Sequence, residues 1–171
     1  FPVAYTPYLS HPDPTVKRRS GFLVPSFGGS SDLGTIIKVP YYINIADNAD
    51  VTVTPIYTSK EGPVLSTEYR HRTFNGTLDM DGSLTEDSDD DIRGHVRGEF
   101  RYDVSDTWRV GADVDRASDD TYLRRYGFGS KDTLTSRLFA EGFRKRNYTA
   151  VNAYSFQGLR EEDDFGTTPI V

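Results

Sequence analysis

The sequence predicts an all-β fold: antiparallel, up-and-down strands, about nine in number, forming an arc of a large transmembrane β-barrel. Three observations predict it. Apolar and polar residues alternate with period two through most of the chain, while helical periodicity is almost absent. Short turns and longer polar loops follow one another in turn, the asymmetry of an outer-membrane wall. The composition is poor in aliphatics and rich in rings, with 36% hydrophobic residues against 13% aromatic, including 10 Phe, 11 Tyr and one Trp. A disordered chain would lack those rings.

The elements follow in chain order. Residues 1–19 are Pro-rich and irregular, and read as a lead-in from something upstream. Residues 20–171 show no domain boundary and read as one run of strands, so the chain is expected to be a piece of something larger. Pro25 is placed in the first predicted strand and Pro40 in the second. Thr67, Tyr69 and His71 oppose Glu68, Arg70 and Arg72. Leu78, Met80, Gly82 and Leu84 alternate with Thr77, Asp79, Asp81 and Ser83. The clearest alternation runs over residues 92–104. Ile92, Val96, Phe100, Tyr102 and Val104 fall on one face, and Arg93, His95, Arg97, Glu99, Arg101 and Asp103 on the other. That run exceeds the ~5–6 residues of an average globular strand and fits a tilted membrane-crossing one of ~9–11 residues plus its ends. Trp108, Val110, Ala112 and Val114 then alternate with Arg109, Gly111, Asp113 and Asp115. Further on, Leu134, Leu138, Ala140 and Gly142 share a face, as do Ala150, Tyr154, Phe156 and Gly158. Short turns are expected at residues 46–50, 74–76, 105–107 and 146–147. Longer loops are expected at residues 26–34, 85–91, 116–131 and 160–168.

A soluble sandwich also gives strands at 8–12-residue spacing, and pattern alone leaves both architectures open. What separates them is the apolar face. Here it is thin in Leu and Ile and rich in Gly, Ala and rings, which suits lipid with interfacial aromatics, while both signs of charge on the other face suit a wet lumen. No run approaches the ~18 apolar residues of a membrane helix. The absence of Cys excludes disulfide, thiol and zinc-thiolate chemistry within these residues. A net charge of −6 argues against nucleic acid as a partner. His11, His71 and His95 have no metal-ligand spacing, and no nucleophile elbow is present, so neither an enzyme nor a bound cofactor is expected. The acidic loop of Asp87, Asp89, Asp90 and Asp91 lacks EF-hand spacing and reads as solvated, with loose divalent-ion binding the lesser alternative. The segment from Gly28 to Gly34 has no P-loop lysine and reads as a flexible hairpin loop.

Two sets of residues carry a family resemblance. One is Arg18-Arg19-Ser20-Gly21-Phe22-Leu23-Val24-Pro25, followed by Val39-Pro40-Tyr41-Tyr42-Ile43-Asn44-Ile45-Ala46 and by Asn48-Ala49-Asp50-Val51-Thr52-Val53-Thr54-Pro55. The other is Glu68-Tyr69-Arg70, Trp108-Arg109-Val110 and Ser118-Asp119-Asp120-Thr121-Tyr122. Together they resemble the start of the barrel in the LptD family, the lipopolysaccharide-assembly or organic solvent tolerance proteins of the Gram-negative outer membrane. The resemblance covers nearly the whole chain, densely to about Arg72 and more thinly beyond. It implies an outer-membrane translocon that passes lipopolysaccharide to the outer leaflet through a polar lumen and a lateral gate. It also implies a plug lipoprotein (LptE) inside the barrel, periplasmic bridge proteins reached through an upstream domain, and surrounding outer-membrane lipid. A soluble carbohydrate-binding sandwich and a porin-like barrel are the alternatives.

The resemblance assigns Pro25 and Pro40 to the lateral gate, where a proline removes a ladder N–H. The bland reading is that each marks a strand end. Pro55 is a weaker extension of the same idea. Lys17, Arg18 and Arg19 are candidates for contact with lipopolysaccharide phosphates, against the alternative of a solvated cluster. Arg93, Arg97, Glu99, Arg101 and Asp113 are expected to face the lumen, with the arginines paired to Glu99, Asp79, Asp81, Asp113 and Asp115.

Overall fold

A computed structural model describes residues 18–160. Eleven strands form one antiparallel sheet, an open arc with almost no helix. They are β1 (Gly21–Phe22), β2 (Ser26–Ser30), β3 (Gly34–Lys38), β4 (Tyr41–Ala46), β5 (Ala49–Thr58), β6 (Gly62–Arg72), β7 (Gly76–Glu86), β8 (Ile92–Ser105), β9 (Trp108–Ala117), β10 (Thr133–Arg144) and β11 (Asn147–Gly158). One short helix, α1 (Tyr122–Arg125), lies between β9 and β10. Nine strands follow one path, β1-β4-β5-β6-β7-β8-β9-β10-β11. The pair β2–β3 lies off that path, with β3 joined to β5.

The two extra strands have a physical origin. Pro25 falls between β1 and β2, and Pro40 between β3 and β4. Since β3 and β4 both pair with β5, each proline interrupts what is otherwise one continuous strand. Both prolines therefore stand in breaks and not inside strands as expected. The segment expected as a loop at residues 26–34 is instead a hairpin. Ser26–Ser30 pair residue for residue with Gly34–Lys38, and only residues 31–33 turn.

From β5 to β9 the wall is unbroken apart from a shift near the β8–β9 turn. Directly opposed residues share a face, so the registers sort every side chain. Asp50, Arg70, Asp79, Glu99 and Asp113 form one row across β5–β9, and Thr52, Glu68, Asp81, Arg97 and Asp115 the next. The opposite face carries Val51, Tyr69, Met80, Gly98 and Val114 in sequence, and many of its apolar side chains are exposed. The alternation anticipated in β6–β9 is thus the alternation of the sheet. In β11 it is reversed. Ala150 opposes Glu141 and Tyr154 opposes Arg137, so Ala150, Tyr154 and Phe156 sit on the charged face, and Val151 shares the apolar face with Ala140.

A glycine sets the packing on the charged side of β9–β10. A Cβ on Gly111 would lie 2.3 Å from Cζ of Phe139, so only glycine lets that ring lie flat across the strand. The guanidinium groups of Arg101 and Arg137 then stand over the ring at 4.7 and 4.3 Å.

The sheet has two unlike ends. One carries tight turns at residues 47–48, 73–75, 106–107 and 145–146. The other carries residues 31–33, 59–61, 87–91 and 118–132. The β5–β6 connection at that second end is also short. The hydrophobic core is at the loop end, where Leu33, Ile56, Val64, Tyr122, Leu123, Tyr126, Leu134 and Leu159 pack together.

Candidate functional site

The charged face is the surface on which chemistry can be read. Alternating acids and bases along each strand become a two-dimensional lattice when strands pair in register. Asp50 is buried and takes Arg70 Nε on one oxygen at 2.8 Å and Arg18 Nη1 on the other at 3.1 Å. Arg97 reaches Asp81 at 3.7 Å and Asp115 at 3.5 Å, and Lys131 approaches Asp115 at 2.8 Å. Arg101 meets Asp113 at 2.7 Å, and Arg72 meets Asp79 at 2.7 Å. Two opposite charges held across neighbouring strands stabilise a sheet modestly, by ~0.2–1 kcal/mol each. Their larger effect is to keep the face polar and hydrated.

The expected lumen residues Arg93, Arg97, Glu99, Arg101 and Asp113 all lie on this face. Their partners differ from expectation in two cases. Arg93 turns to the loop acids Asp119 and Asp87 and not to neighbouring strands. Glu99 stands between Asp79 and Asp113, and among the described residues it has no cation within ion-pair distance. A groove of about 580 Å³ opens over this region, with Lys38, Thr54, Glu68, Arg70, Asp81 and Phe128 among its walls.

The β9–β10 loop folds back to cover the loop end of the face. Asp119 is the latch. Its two oxygens accept from Arg93 at 2.9 and 2.6 Å, a bidentate pair. One of them also accepts the backbone N–H groups of Thr121 and Tyr122, which orders the start of α1. Burial alone would raise the Asp119 pKa. The Arg93 guanidinium and the Ser118 and Thr121 hydroxyls outweigh it and hold the carboxyl well below its usual range. Asp87 is also held low, chiefly by the Asp91 N–H. Arg125 pairs with the buried Glu61 and Arg124 with Asp132, tying α1 down on both sides.

Beneath the loop lies a polar chain on the wall. The hydroxyl of Tyr122, fully buried, stands 2.7 Å from Ser83 Oγ; Ser83 Oγ stands 2.7 Å from His95 Nδ1; and His95 Nε2 stands 3.2 Å from Asp81. Because the Asp81 carboxylate only accepts, His95 carries a proton on Nε2. Serine, histidine and aspartate are adjacent, yet Ser83 and His95 are buried under the Tyr122 and Phe128 rings. The arrangement anchors a loop to a wall. Burial pushes the Tyr122 and Tyr126 hydroxyls up from their ordinary values, so both stay protonated.

The prolines that the resemblance assigns to a gate lie at the other side of the sheet. Leu23 N–H donates to Pro40 O at 2.9 Å, and Val39 N–H to Pro55 O at 3.2 Å. Opposed residues of an antiparallel hydrogen-bonded pair exchange two bonds. Here the reciprocal donor is residue 40 in one pair and residue 55 in the other, and proline has no N–H. Each pair is therefore a half-pair. Around Pro25 the register slips, because Phe22 opposes Tyr41 while Ser26 opposes Lys38, leaving one extra residue on the β1–β2 side. That is a bulge. Of the basic triplet, Lys17 lies outside the described residues, Arg18 is engaged by Asp50, and Arg19 is exposed.

Sequence reasoning missed the roles of Asp50, Asp119, Tyr122 and Phe128. A signal was available for Asp119, since Ser-Asp-Asp-Thr ahead of an apolar pair is a helix-start pattern.

Comparison with known proteins decides the family. The family model described as LPS transport system D matches residues 91–171. A protein of Pseudomonas aeruginosa (strain UCBPP-PA14) named LPS-assembly protein LptD is 33% identical over 180 residues, covering 90% of this chain and 19% of its own length. LptD of Alkalilimnicola ehrlichii is 37% identical over 148 residues, covering 85% of this chain and 19% of its own. LptD of Pseudoalteromonas translucida is 38% identical over 145 residues, with 82% and 19% covered. The chain belongs to the LptD family. It spans about one-fifth of the length of these LptD relatives. The LptD model falls on the second half of the chain, beyond the densest quoted motifs at residues 18–72.

Proposed function

We propose that this chain is the N-terminal arc of an outer-membrane LptD barrel, and that its charged face is the wet wall along which lipopolysaccharide sugars pass. Residues 20–171 are the barrel strands in this reading, and residues 1–19 the approach from a periplasmic domain. The apolar face meets outer-membrane lipid. The acyl chains leave sideways at the first strands, where Pro25 and Pro40 lower the cost of opening the seam. A plug lipoprotein inside the barrel and periplasmic bridge proteins upstream complete the assembly. The chain's part is conduction and not bond chemistry.

The observation that supports this best is the row of half-pairs. Each net backbone hydrogen bond contributes ~0.5–1.5 kcal/mol, so a seam that lacks reciprocal donors near the edge of the sheet is a cheap place to part a wall. The lattice of ion pairs supports the wet side of the reading. In the full-length protein, replacing Pro25 and Pro40 together by Val should slow the arrival of lipopolysaccharide at the cell surface, measured by surface labelling after a pulse. Export at the parental rate, with normal barrel levels in the membrane, would sink the gate.

A further inference from the structure

The arginines of the charged face have carboxylate partners, but one basic cluster does not. Arg144 ends β10 and Lys145 and Arg146 make the β10–β11 turn, all three exposed. Among the described residues none of them has an acid within ion-pair distance, and Asp106 on the adjacent turn lies beyond that reach as well. Lys145 adopts φ 52°, a left-handed conformation that Gly or Asn would take at lower cost. A strained lysine between two arginines costs stability, and no ion pair among the described residues offsets it.

The residues beside the turn have a shape that explains it. Trp108 opposes Gly142, which opposes Thr149. A Cβ on Gly142 would come within 3.1 Å of the indole, so the glycine lets Trp108 lie across the apolar face. A recess of about 280 Å³ results, walled by Trp108, Gly142, Phe143, Arg144, Asn147 and Thr149. Arg144 shares the apolar face with Gly142, Ala140 and Leu138. Below the recess that face continues as exposed Leu138 (62%) and Val151 (67%). An indole, unpaired cations above it and an apolar track beneath it form the profile of an interfacial lipid contact.

The geometry points to a binding site for one anionic phospholipid at the β10–β11 turn. The phosphate sits against Arg144 with Lys145 and Arg146 around it, the glycerol region lies on Trp108, and the acyl chains run over Leu138 and Val151. The proposal rests on the membrane reading above, which places the short turns in the phospholipid leaflet.

The test uses the full-length protein in vesicles of phosphatidylcholine with a trace of photoreactive phosphatidylglycerol, mapping label to residues 142–149. Unlabelled phosphatidylglycerol should compete and phosphatidylcholine should not. The apparent affinity should fall about fivefold for each charge removed, and on the order of a hundredfold for Arg144→Gln, Lys145→Gln and Arg146→Gln combined. Arg144→Lys with Arg146→Lys should keep most labelling, and Lys145→Asn, which also relieves the turn, provides a variant that folds readily. Equal labelling of the triple variant overturns the site. So does equal competition by phosphatidylcholine, which would mean an ordinary lipid annulus. Competition by millimolar inorganic phosphate, or stronger competition by lipopolysaccharide than by phosphatidylglycerol, also overturns it. Protein that floats with the vesicles yet takes no label at the turn refutes the lipid site alone. Protein that does not float refutes the membrane reading itself.

Discussion

The first hairpin and the central wall are built from similar residues and held together very differently. β1 meets β4 through two residue pairs, Gly21 with Tyr42 and Phe22 with Tyr41. β7 meets β8 through a ladder that runs without a break from Gly76↔Tyr102 to Glu86↔Ile92. Tyr, Ile, Val and Phe are good strand formers in both. The difference lies in three prolines, which remove N–H donors at neighbouring levels, and in side chains. The central wall adds ion pairs on one face, from Arg97 and Arg101, and the first hairpin adds none of that kind beyond Arg18 with Asp50. Strand propensity therefore says whether a residue enters the sheet; donor supply and cross-strand charge say how firmly the sheet is closed there.

The strongest way to break this contrast is to give the wall the defect of the hairpin. Val96 lies mid-strand in β8, opposite Gly82 on one side and Arg116 on the other. Val96→Pro should cost about 3 kcal/mol or more, since it removes an interior ladder bond with no bulge to absorb the ring. In the full-length protein the thermal unfolding midpoint should drop sharply, while a second proline at Val24, in the gap already broken, should leave it nearly unchanged. Equal effects at the two sites would show that the hairpin is no looser than the wall.

The next effect concerns the loop that braces the wall. Asp119→Ala leaves Arg93 without its bidentate partner and frees two backbone donors. Hydrogen bonds to charged groups contribute ~1.5–3 kcal/mol, and the partial exposure of this pair puts the expected loss toward the lower end. Amide exchange at Tyr122–Arg125 should accelerate while the β7–β8 amides stay protected. The same latch sets a pH dependence. Its folded carboxyl is held below the ordinary value of 3.8, so the contribution is fully present above that value and is lost as pH falls further. Loop exchange should therefore be flat from pH 7 to about 5 and rise only below about pH 4. A transition centred well above pH 5 would show that Asp119 is not the latch.

The central wall was legible because its cause is local. Alternation in residues 92–104 is a property of single strands, and the pairing of Arg97 and Arg101 with neighbouring acids follows once strands are adjacent. The loop was not legible, because Asp119 meets Arg93 only after the chain has turned through β9, and no local pattern encodes that meeting. β11 shows the same limit. Ala150, Tyr154 and Phe156 share a face as their spacing indicates, but which face is decided by register with β10, and register puts them beside Arg137 and Glu141. The prolines were visible as residues; their effect as half-pairs appeared only when Leu23 and Val39 were found opposite Pro40 and Pro55.

The smallest expected effect is the most discriminating for the hairpin. Pro40→Val supplies the missing reciprocal donor opposite Leu23, whose own N–H already bonds residue 40 at 2.9 Å. Completing one exposed pair should stabilise the edge by ~0.5–1 kcal/mol, less whatever the relaxed chain gains in freedom on losing a proline. Global unfolding would barely register that. Exchange of the Leu23 amide should register it directly, slowing by roughly two- to fivefold, because its opening requires parting β1 from β4 alone. Pro55→Val should protect the Val39 amide to a smaller degree, since β5 is already held along its other edge by the full β6 ladder. If Leu23 exchange were unmoved while Val39 slowed, the weak seam would lie between β4 and β5, one strand further into the wall than the two prolines at positions 25 and 40 imply.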